Sequence, residues 1–147
     1  RLKAIVQALE NLALTYPVVL PLHPRTRKAL RSQDIVPNRI TCIDPVGYLD
    51  MVGLECQAAA IATDSGGVQK EAYFHGVPCV TLRHETEWLE LVEMGWNRLA
   101  KPGEDDIAQS IRDSIGSSGI HGSPYGDGDA ATQIVQILNQ SHHRSAI

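Results

Sequence analysis

The stretch Thr63-Asp64-Ser65-Gly66-Gly67-Val68-Gln69-Lys70-Glu71-Ala72 constrains this chain most. The apolar run Ala58 to Ala62 leads into it and reads as a buried strand; a helical pattern follows it. The Ser-Gly-Gly turn therefore stands where a strand hands over to a helix N-terminus. Glycine lets a ligand approach the backbone closely, and the first N–H groups of a helix have no intrahelical partner. The macrodipole adds partial positive charge, so the turn suits phosphate. Ser65, Gly66 and Gly67 are candidate anion-binding residues, and Glu71, one helical turn on, is placed for a neutral polar part of the same ligand. The same residues also suit a plain strand-to-helix turn with Ser65 as N-cap.

The hand-over from strand to helix recurs along the chain. Leu2, Ile5, Val6, Leu9, Leu12 and Ala13 repeat at helical spacing, and Pro17 closes that segment. Val18 to Leu22 reads as a short buried strand, followed by His23-Pro24-Arg25 with Pro24 suited to the first position of a helix. Arg39 to Ile43 is a second strand ended by Asp44-Pro45, and Tyr48 to Cys56 allows a helix. Val77 to Leu82 is a strand after the helix that ends near His75-Gly76. Beyond it come a short helix at Trp88 to Met94, a strand at Asn97 to Ala100 and a helix at Asp105 to Ser114. Five glycines between Gly116 and Gly128 read as a loop, Ala130 to Leu138 as a last helix with Ile134, Val135 and Leu138 on its apolar face, and Ser141 onward as a frayed tail. The pattern predicts an α/β domain at 1–140, with a parallel sheet between helix layers. Ligands of such sheets collect at the carboxyl ends of strands, where His23, Pro45, Ser65 and Arg83 should arrive.

Composition narrows the function. Hydrophobic residues at 43% and charged residues at 20% fit a soluble globular chain. A net charge of −4 offers nothing to nucleic acid or an anionic membrane. No apolar run approaches a membrane span, and Arg1-Leu2-Lys3 reads as the interior of a longer chain rather than a signal peptide. Cys42, Cys56 and Cys79 lack metal-ligand spacing and read as buried free thiols of a reducing, cytoplasmic compartment.

Several separated motifs agree on a family. His23-Pro24-Arg25, Tyr48-Leu49, the stretch from Thr63 to Ala72, Gly76-Val77-Pro78-Cys79, Arg83 with Thr86-Glu87, and Pro124-Tyr125-Gly126-Asp127-Gly128 occur in this order. Together they resemble the carboxyl-terminal half of the non-hydrolysing UDP-N-acetylglucosamine 2-epimerases. The resemblance implies the C-terminal, three-layer Rossmann-like half of a glycosyltransferase-B-type two-domain enzyme, an isomerase that binds a UDP-sugar without metal or cofactor and works as a homodimer with an N-terminal domain. It implies that Ser65 and Gly66 hold the diphosphate, Glu71 the ribose hydroxyls, and the Pro45 to Met51 loop the uracil. Arg83 would lie close to the diphosphate, able to meet phosphate oxygens through two parallel bonds or to fix its own loop through Glu87. His23 would face the interdomain cleft, although a His in that position also serves as a helix cap. Tyr125 to Gly128 suit a glycine turn and an acidic cap for the last helix.

Two positions depart from the common pattern of that family. Lys70 stands where many relatives carry a second Glu, an exchange of little weight on an exposed helix face. Trp88-Leu89 stands where many carry Arg-Pro, and the Thr-Glu-Trp version resembles a branch that includes epimerases of diacetamido-uronic acid UDP-sugars. The alternatives are a glycosyltransferase of the same architecture, a hydrolysing epimerase, and a nucleotide-binding module without chemistry.

Overall fold

A computed structural model describes residues 1–144. Strands and helices alternate: α1 (Leu2–Leu12), β1 (Val19–Pro21), α2 (Pro24–Ser32), β2 (Thr41–Ile43), α3 (Tyr48–Gln57), β3 (Ile61–Thr63), α4 (Gly66–Phe74), β4 (Cys79–Thr81), α5 (Leu89–Glu93), β5 (Asn97–Leu99), α6 (Ile107–Ser114) and α7 (Ala130–Arg144). Every strand pairing among the described residues is parallel. The α/β class is thus as the alternation predicts. The ladder is divided, however, into β1-β2 and β3-β4-β5.

A proline accounts for the break at β1. Thr41 N–H donates to Val18 O and Leu22 N–H to Ile43 O, so the even-numbered residues from Val18 to Leu22 turn their backbone groups to β2. Pro21 therefore faces the other edge of β1, and it has no N–H to give a further strand. A single apolar core still joins the two sheets. Val6, Leu9 and Leu12 of α1, Leu22, Leu30, Ile40, Val80, Leu82, Ala100 and Ile107 and Ile111 of α6 form one buried cluster. The repeat at α1 is the period of a helix with one apolar face. Asp106 caps α6, accepting from Gln109 N–H at 2.9 Å.

Burial corrects several expectations. Among the described strands only β4 is buried throughout; Val19 of β1 is 46% exposed, and Ala62 of β3 is exposed. Strand β4 is central in its sheet and packs against α4 and α6, whereas among the described residues β1 and β2 have no third strand beside them. The third strand starts at Ile61 rather than Ala58, because Ala58 ends α3. Cys42 and Cys56 are exposed and only Cys79 is buried, where burial pushes its thiol up to about 12. Helix α7 continues past Leu138 and Ser141 to Arg144, and the end of the expected tail, 145–147, lies outside the described residues. Ile134, Val135 and Leu138 are exposed rather than packed inward. No helix among the described residues is long and apolar enough to cross a membrane.

Candidate functional site

Parallel pairing puts the carboxyl ends of neighbouring strands on one edge. His23 and the Pro45 segment follow β1 and β2, while Ser65 and Arg83 follow β3 and β4. Ser65 has extended backbone (φ −85°, ψ 125°), and its hydroxyl accepts from Val68 N–H at 3.5 Å. Gly66 opens α4, and Ser65 N–H is itself held by Thr63 Oγ1 at 3.0 Å. The turn is thus a capped helix N-terminus on the surface, with Ser65 and Gly67 exposed.

A strap of residues after β4 closes on this turn. Thr86 Oγ1 donates to Gln69 Oε1 at 2.6 Å, and the Trp88 indole N–H donates to Gly66 O at 2.9 Å. Gln69 is fully buried and sits at the centre of a polar network that the sequence does not disclose. Its Oε1 also accepts from Asn97 Nδ2 at 2.9 Å, its Nε2 donates to Ser65 O at 3.3 Å, and Thr81 Oγ1 donates to Asn97 Oδ1 at 2.9 Å. Every polar end of that amide is satisfied, which is what a buried amide requires. The network ties β4, β5, the strap and the cap of α4 into one unit.

Arg83 is half-buried and donates to Glu87 Oε2 at 2.9 Å, the pairing that fixes its loop. Glu87 in turn lies against the turn: a Cβ on Gly66 would stand 2.3 Å from Glu87 Oε1. A side chain at 66 would therefore push the mobile carboxylate end of Glu87 aside.

Lys70 is not an idle surface lysine. Its ammonium lies 4.0 Å from the centre of the Trp88 ring and 3.9 Å from that of Tyr125. Two positions that look like separate departures from the family pattern thus form one contact, with Tyr125 as its other wall. Tyr125 also meets Tyr73 and Phe74 edge-on. The loop before it is anchored by its backbone, since Ile120 O accepts from the Trp96 indole at 2.8 Å and Gly122 O from the Tyr73 hydroxyl.

Glu71 is half-buried on α4, near a second carboxyl that sequence reading missed. Glu55 of α3 is 2% exposed, and its pKa is raised, first by burial and then by Glu71, with His75 Nε2 at 3.5 Å opposing the shift. The remaining predicted residues are more loosely held. His23 caps α2, its Nδ1 accepting from Arg25 N–H at 3.2 Å. Met51 is half-buried in the first turn of α3, so the expected Pro45 to Met51 loop ends at Gly47, where the helix begins. A hollow of about 310 Å³ lined by Pro78, Trp96, Asn97 and Leu99 contains none of these residues.

Comparison with known proteins gives a consistent result. Residues 1–139 match the sequence model of a family described as UDP-N-acetylglucosamine 2-epimerase. A UDP-2,3-diacetamido-2,3-dideoxy-D-glucuronate 2-epimerase of Pseudomonas aeruginosa is 46% identical over 94% of this chain, which spans 39% of that relative's length. A UDP-N-acetylglucosamine 2-epimerase homolog of Methanococcus maripaludis is 44% identical over 82% of the chain and 35% of its own length. Among solved structures, the UDP-GlcNAc 2-epimerase of Methanocaldococcus jannaschii in complex with UDP-GlcNAc and UDP superposes with a TM-score of 0.83 at 36% identity, over 95% of this chain and 40% of that one.

Proposed function

The chain belongs to the UDP-N-acetylglucosamine 2-epimerase family, and from that premise we propose that it is the UDP-holding, C-terminal half of a non-hydrolysing epimerase. Ser65, Gly66 and Gly67 bind the diphosphate through the free N–H groups of α4, and Arg83 supplies a guanidinium to the same oxygens. Glu71 accepts from both ribose hydroxyls. Met51 and the residues from Pro45 line the uracil, and His23 faces the cleft. The single observation that carries the reading is the capped N-terminus of α4, with the Arg83–Glu87 pair beside its first turn and Glu71 on the same helix.

In the proposed reaction a base takes the C2 proton of the sugar, the C2–H electron pair becomes a C1=C2 double bond, and UDP leaves C1 with the C–O pair. Protonation of C2 on its other face and return of UDP to C1 complete the epimerisation. The proton-moving carboxylates belong to an N-terminal domain, so this half holds the leaving group and presents it again; its contribution is positioning and charge stabilisation. The working enzyme on this reading is a cytoplasmic homodimer, and the present chain alone turns over no UDP-sugar. The substrate is a UDP-GlcNAc-type sugar. A diacetamido-uronate is the second reading, favoured by Thr86-Glu87-Trp88 and by the 46% identity to an epimerase of that sugar.

Titration calorimetry of the chain with UDP tests the proposal. UDP binds, and Glu71→Ala weakens binding at least about tenfold, since a charged hydrogen-bonding partner of a vicinal diol is lost. Equal affinity in the variant would sink the ribose assignment.

A further inference from the structure

Glu87 is the member of the strap to which the proposed function gives no contact with the ligand. Its neighbours on either side are tethered to α4, Thr86 through Gln69 at 2.6 Å and Trp88 through Gly66 O at 2.9 Å. The side chain between these tethers is delivered to the first turn of α4. There one carboxylate oxygen accepts from Arg83 at 2.9 Å, and the other lies where a Cβ on residue 66 would come within 2.3 Å of it. The carboxylate thus sits beside two positive features, a guanidinium and a helix N-terminus, that also suit a phosphate.

We infer that Glu87 is an internal anion standing in for the ligand's phosphate, and that a nucleoside diphosphate must displace it from Arg83 to bind. Two anions on one guanidinium repel each other, so entry of the ligand is an exchange rather than a simple addition. The exchange is open to solvent, because the Arg83 and Glu87 side chains are 30% and 47% exposed. Breaking a pair of that exposure lowers affinity by about 1.5- to fivefold without closing the site. Glu87 thereby sets how tightly the diphosphate is held.

This inference rests on the nucleotide reading of the turn, and its test separates the two. The chain and Glu87→Gln, which keeps the shape and removes the charge, are titrated calorimetrically with UDP and with uridine, after thermal unfolding has shown that both are folded. UDP binds the variant about 1.5- to fivefold more tightly while uridine binds both proteins equally, because only the diphosphate competes with the carboxylate. Weaker or unchanged UDP binding in the variant overturns the inference, as Glu87 would then align Arg83 or be idle. A gain shared equally by uridine overturns it as well. UDP binding to neither protein removes the nucleotide reading itself, and this inference with it.

Discussion

The two edges of the site are built differently. At the β3–β4 edge, residues distant in sequence lock together: Gln69 with Thr86 and Asn97, Trp88 with Gly66, and Lys70 between Trp88 and Tyr125. At the β1–β2 edge, His23 caps its own helix, and Tyr48 and Leu49 at the start of α3 are 69% and 82% exposed. The side proposed for the phosphate is preorganised, and the side proposed for the uracil is open surface. In the proposed role, a turn that meets a leaving group repeatedly in one geometry gains from such rigidity, since the ordering cost is met on folding instead of on binding.

Gln69→Leu breaks the contrast most severely. It leaves Thr86, Asn97 and the Ser65 carbonyl without their partner, and it lowers the unfolding free energy by about 2–4 kcal/mol in a denaturant titration. A loss under about 1 kcal/mol would mean that the network does not organise this edge.

How far the sequence disclosed these two edges depends on the range of the interactions. Ser65 as a cap, Pro24 at the start of α2, and Gly76 and Gly95 beyond α4 and α5 are local signals, each decided by the backbone within a few residues. They were legible, and so was the parallel α/β order. Gln69 pairs with partners 17 and 28 positions away, and Lys70 finds Trp88 and Tyr125 across two loops. Nothing in the local pattern marks such pairings, so the residues that hold the turn were missed while the turn itself was found. Exposure of β1, Cys42 and Cys56 was misjudged for a related reason: apolar content shows that a run can be buried, whereas the neighbouring layer decides whether it is.

Glu55→Gln sharpens the comparison at the junction of the two edges, where α3 meets α4. Burial raises the Glu55 carboxyl, with Glu71 adding to the shift, so the folded chain holds that proton more tightly than the unfolded one. Its contribution to stability is complete below the ordinary carboxylate range and is lost as pH climbs through the raised value. The neutral isostere removes this slope. Thermal unfolding shows the variant more stable than the parent near pH 8 and equal to it near pH 4. A parent that is stabilised by the carboxylate at the higher pH contradicts this assignment.

His23→Ala is the mildest of the three. It removes one exposed cap from α2 and costs about 0.5–1 kcal/mol in the same denaturant assay, well below Gln69→Leu. A cost as large as that of Gln69→Leu would erase the distinction between the edges.

The most direct measurement is an NMR titration of the chain with UDP that follows the backbone amides. The amides of Gly66, Gly67 and Glu71 move most and saturate together, with those of the Pro45 to Met51 segment moving less. Movement confined to α2 and α3, with the amides of the Ser65 turn unchanged, would contradict the assignment of that turn to the diphosphate.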